Sequence, residues 1–81
     1  MGYVVKEEDS QTGEVTRRGP FVTEQEARMA LGNLIEQAYD FNPQLTTANV
    51  RQEVEDAVRD GCKACFDTKG NLVCRYTVEQ E

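Results

Sequence analysis

Two short runs rich in valine and aromatic residues, YVVKEED at 3 to 9 and EVTRRGPF at 14 to 21, flank SQTG, a connection ending in a glycine that can take positive φ. The pattern predicts a β-hairpin. Pairing Asp9 with Glu14 sets Lys6 opposite Arg17, a like-charge cross-strand pair that only water tolerates. Val4, Lys6, Val15 and Arg17 are therefore expected to face outward, and Tyr3 and Val5 inward.

Gly19-Pro20 ends the second strand, and the periodicity then changes from two to 3.6. Thr23 reads as an N-cap with Glu26 at the N3 position of a capping box, and Val22 stands where it could staple onto Ala27. Ala27, Ala30, Leu31, Leu34, Ile35 and Ala38 follow as one apolar stripe, with Glu24, Arg28, Glu36 and Gln37 set away from it. YDFNPQL breaks this helix, because the residue before Pro43 is pushed out of the α region. A second helix is expected from Thr46 or Thr47 to Gly61, a natural C′ residue, with Val50, Val54, Ala57 and Val58 as its buried stripe. Glu53, Glu55, Asp56, Arg59 and Asp60 fall mostly outside that stripe.

The third segment, DGCKACFDTKGNLVC, reads as a second hairpin. DTKGN is a three-residue loop with Gly70 at the left-handed position, so Asp67 pairs with Asn71. Strict alternation from there puts Cys62, Ala64, Phe66, Leu72, Cys74 and Tyr76 on one face, and Lys63, Cys65, Val73 and Arg75 on the other. The first face is the apolar one. Cys62 and Cys74 are thus expected in the core, with Cys65 as an outward thiol.

These elements predict a single α+β domain over residues 1–81: a two-layer ββααββ fold whose two hairpins form one antiparallel sheet with both helices packed on one face. The pattern does not set the order of the hairpins. A chain of 81 residues can bury one core but not also enclose a deep substrate cleft. Hydrophobic residues at 38% and charged residues at 30% suit a globular domain, and neither an internal repeat nor a low-complexity tract is visible. MGYVVKEED contains no basic leader and no apolar segment of secretory or membrane-spanning length, which leads to the expectation of a cytoplasmic protein without a membrane partner.

Charge narrows the partner class. The net charge of -6 argues against unaided binding to nucleic acid, whose affinity comes mainly from neutralising phosphates. Residues 21 to 61 hold eight acids against three bases, so the acid is concentrated in the helices. Glu24, Glu36, Asp40, Glu53, Glu55, Asp56 and Asp60 form the candidate partner-binding set, as an acidic helical face complementary to a basic protein surface. The expectation is a small non-enzymatic interaction module, a regulator or inhibitor of a nucleic-acid-handling protein. The bland reading of the same acids is solubility. A homodimer through sheet edges, or through an apolar remnant near Tyr39 and Phe41, is also compatible with the pattern.

Two other classes remain. Lys6, Arg17, Lys63 and Arg75 could share an open sheet face able to bind nucleic acid, although no aromatic for base stacking is firmly assigned there. Cys62, Cys65 and Cys74 could serve a zinc- or thiol-dependent protein, with Asp60 or Asp67 completing the ligands. A strand directs the side chains of a Cys-x-x-Cys pair apart, and a preceding helix C-terminus gives the wrong dipole for a low-pKa thiol. With no histidine and Ser10 as the single serine, no Ser-His or Cys-His nucleophile can be assembled. No catalytic residue, cofactor or metal is therefore expected.

RRGPFVTEQEARMAL, residues 17 to 31, resembles the strand-to-helix junction of the sporulation-related repeat domain, a small peptidoglycan-binding fold. The likeness covers these fifteen of 81 residues. The remainder departs from that pattern, because two helices follow in succession, and no function is carried over.

Overall fold

In the computed structural model, which describes residues 2–81, the elements are β1 (Tyr3–Asp9), β2 (Val15–Phe21), α1 (Glu24–Phe41), α2 (Val50–Asp60), β3 (Cys62–Phe66) and β4 (Leu72–Gln80). The four strands make one antiparallel sheet in the order β2-β1-β4-β3. Each expected hairpin forms, and β1 pairs with β4 to join them, so the first and last strands occupy the sheet's centre. Val5 from β1 and Cys74 and Tyr76 from β4 pack with Ala27, Leu31 and Ile35 of α1 and Ala57 of α2 in one core on the helical side.

The helix ends follow local chemistry. The Thr23 side chain accepts from the Glu26 N–H at 3.1 Å, and the Glu26 carboxylate reaches back to the Val22 N–H at 3.3 Å. This is a capping arrangement shifted by one residue. Val22 is 79% exposed and staples nothing. The second helix starts later than its apolar pattern suggests: Asn49 is the N-cap, accepting from the Gln52 N–H at 3.1 Å, while Thr47 Oγ1 accepts from the Asn49 N–H before the first turn. Local side-chain bonds of this kind compete with helix, which is why residues 46 to 49 stay outside it. At the other end Gly61 takes φ +70, the left-handed cap expected there. Arg28 of α1 donates to the carbonyls of Val58 and Arg59, placing a cation at the negative end of α2. An exposed i,i+4 pair such as Arg28–Glu24 adds only about 0.3–0.5 kcal/mol, so the contact with α2 is the larger reason for Arg28 to sit here.

Two expectations about burial are corrected. Val4, read as outward, is 5% exposed: it faces the open side of a central strand, between Glu79 of β4 and the irregular stretch of β2 at Gly19 and Pro20. Leu45, in the connection between the helices and outside both apolar stripes, is buried in the core as well. The second correction concerns the C-terminal hairpin. The Asp67 N–H donates to the Asn71 carbonyl at 2.9 Å, as the loop chemistry requires, and Phe66 pairs with Leu72. Beyond that point Cys65 pairs with Cys74, not Val73, so Val73 is the extra residue of a β-bulge. Shifting a strand by one residue exchanges its faces. Cys65 is consequently fully buried, Cys62 and Phe66 are exposed, and Lys63 turns to the helical side.

The two helices touch closely at Gly32, where a Cβ would lie 2.8 Å from Val58 Cγ2 and 3.3 Å from Val54 Cγ1. Gly32→Ala must push α2 away. It should cost about 1–3 kcal/mol, seen as a lower urea midpoint with an unchanged m-value, despite alanine's better helix propensity.

Candidate acidic groove and buried thiol pair

The seven acids of the predicted face divide into two groups. Four are engaged within the chain. Glu24 binds Arg28 at 2.9 Å, Arg59 holds Asp56 at 3.3 Å and Asp60 at 2.9 Å, and Glu53 meets Lys63 Nζ at 2.6 Å. The Arg59 guanidinium keeps the Asp60 carboxyl below its ordinary value. The other three, Glu36, Asp40 and Glu55, are exposed and have no ion-pair partner among the described residues. Glu36 and Asp40 lie one turn apart on α1, and Glu55 stands across from them on α2. They line a groove of about 380 Å³ between the helices, together with Val50, Val54 and Arg51. Two partly buried valines give it an apolar component, and the net charge of its ionisable side chains is negative.

Glu53 belongs to a different group. Its carboxylate accepts from Tyr39 Oη at 3.2 Å and Thr47 Oγ1 at 3.3 Å and pairs with Lys63, tying α1, the interhelical connection, α2 and β3 together. Those contacts, Lys63 foremost, depress the Glu53 pKa, whereas burial, with the neighbouring Cys65 and the Glu53 carboxylate adding to it, raises that of Tyr39. Helical periodicity alone assigned Glu53 to the solvent face. The signal that it turns inward is the long lysine at position 63, whose stem can lie along the helical layer while its ammonium reaches the carboxylate.

The three sulfurs do not converge. Cys62 is on the open face of the sheet, and Cys65 and Cys74 face each other on the helical side. The adjacent Cys74 thiol and burial push the Cys65 thiol well up, while Cys65 in turn lowers Cys74. Among the described residues no group of three metal-ligating side chains comes together. The basic residues are also divided. Lys63 is on the helical side, and Lys6 is held by Glu8 at 3.3 Å and Glu79 at 3.8 Å, leaving Arg17 and Arg75 on the open face. No helix of the described residues is long and apolar enough to cross a membrane.

No family model matches the chain, and neither a curated protein nor a solved structure does. The resemblance at residues 17 to 31 therefore carries no family assignment.

Two outcomes are expected at these sites. A maleimide should modify Cys62 in the native protein at the rate of a free exposed thiol, with Cys65 and Cys74 reacting only as the hairpin opens, and mass mapping reads the order directly. The Glu53 carboxyl is harder to protonate folded than unfolded, so its contribution to stability is complete above the unfolded value of about 4.3 and is lost as pH falls through the lower folded value. Lys63→Met should cost about 1–3 kcal/mol at neutral pH. It should also flatten the dependence of unfolding free energy on pH below about 4.3, as followed by urea titration across that range.

Proposed function

We propose that this chain is a non-enzymatic interaction module that docks the groove between α1 and α2 on a basic segment of a partner protein, acting in the cytoplasm as a regulator or inhibitor of a nucleic-acid-handling protein. The observation that carries this reading is the division among the acids: Glu36, Asp40 and Glu55 have no ion-pair partner among the described residues, and these three line one groove. An acid already held by an arginine at 2.9 Å gives up that contact on meeting a new cation. An unpaired one does not. Val50 and Val54 offer apolar contact at the same place, so a lysine or arginine stem can lie against them while its charge meets the rim. The cytoplasmic assignment rests on three free cysteines, which persist where thiols are kept reduced.

The combined Glu36→Lys, Asp40→Lys and Glu55→Lys variant tests this. Partner captured from the native cell by the unaltered chain should associate with the variant at least about tenfold more slowly at low salt, with the difference shrinking as ionic strength rises. Reversal of Glu24 and Asp60, both already paired, should change the association rate much less. An unchanged rate for the triple variant would refute the groove as the docking site.

A further inference from the structure

Cys65 and Cys74 are direct partners across the β3–β4 ladder, and the bulge at Val73 brings Cys65 to the helical side beside Cys74. Both thiols are free, Cys65 wholly buried and Cys74 6% exposed. Opposite residues of an antiparallel pair have Cα atoms about 4.5–5.5 Å apart, inside the range of about 4.4–6.8 Å that disulfides span. Their Cβ atoms, about 4.5–5.5 Å apart in such pairs, would need to close by up to about an ångström to reach disulfide geometry. A bond formed under that constraint is more easily reduced than a relaxed structural one. We propose that Cys65 and Cys74 form a reversible intrachain disulfide across this hairpin, with a peroxide as the oxidant.

The chemistry is balanced within the pair. The Cys74 sulfur attacks one peroxide oxygen, the O–O bond breaks, and the thiol proton leaves with the departing hydroxide as water, giving a sulfenic acid. Cys65 sulfur then attacks the Cys74 sulfur. The S–S bond forms as the S–O bond breaks, and the hydroxyl departs as a second water with the Cys65 proton. The two thiols lose two electrons and one peroxide gains them. Cys74 reacts first because it alone of the two has any exposed surface. Cys62 cannot resolve the sulfenic acid within the same chain, since its side chain lies across the sheet. The product fastens edge strand β3 to central strand β4 around both the Gly70 turn and the bulge, a link that constrains the unfolded chain and slows opening of the hairpin.

The test uses the full chain carrying Cys62→Ser, which removes the exposed thiol. After hydrogen peroxide treatment and alkylation of residual thiols, the expected product is a monomer lighter by two hydrogen atoms. It should contain a linked Cys65–Cys74 peptide, return to the starting mass with dithiothreitol, and have a higher midpoint of thermal unfolding than its reduced form. The wild-type chain with Cys62 blocked by N-ethylmaleimide in the native state gives the same readout if the serine variant folds poorly. Two thiols that stay free, sulfinic or sulfonic acids at either cysteine, or disulfides only between molecules would each overturn the proposal.

Discussion

The extra residue in β4 governs what both faces of this sheet carry. Asp67 and Asn71 close the C-terminal turn as their chemistry dictates, and an unbroken ladder from there would bury Cys62 and expose Cys65 and Lys63. Val73 interrupts it. Its carbonyl accepts from the Ser10 N–H at 3.1 Å, so the bulged residue is also fastened to the end of β1. With the register moved by one, Lys63 comes to the helical side within 2.6 Å of Glu53, and Cys65 lies against Cys74. The Tyr39–Glu53–Lys63 contacts and the thiol pair both follow from this one insertion.

The charge pattern has a similar two-level character. Counting residues locates an acidic helical layer but does not show which carboxylates are free. Internal pairing absorbs Glu24, Glu53, Asp56 and Asp60, and the remaining three gather because α1 and α2 approach closely at Gly32, bringing Glu36 and Asp40 alongside Glu55. The open face of the sheet, by contrast, mixes signs around Lys6. A docking role for the helical groove is therefore better supported than one for the sheet.

Much of the fold was legible in the sequence because its signals are local. Thr23, Gly61 and the Asp67–Asn71 loop each act within a few residues, and all three do what their side chains and backbone preferences require. The strand order was not, since nothing local specifies that β1 pairs with β4. Cys74 is in the core as expected, but Cys62 and Cys65 exchange their expected places for a physical reason: period-two alternation presumes an unbroken ladder. Leu72-Val73-Cys74 already departs from it, as three apolar residues in succession leave room for two neighbours to be buried, and both Val73 and Cys74 are. Of the candidate site, the acids could be named but not their sorting, which depends on where Arg28, Arg59 and Lys63 reach.

The hairpin register is the point on which this account rests, and proton–proton contacts in a nuclear magnetic resonance spectrum measure it directly. The expected cross-strand contacts join Cys65 to Cys74, Ala64 to Arg75 and Lys63 to Tyr76. Contacts joining Cys65 to Val73 and Ala64 to Cys74 instead would mean an unbroken ladder, and would contradict both the buried thiol pair and the inward turn of Lys63.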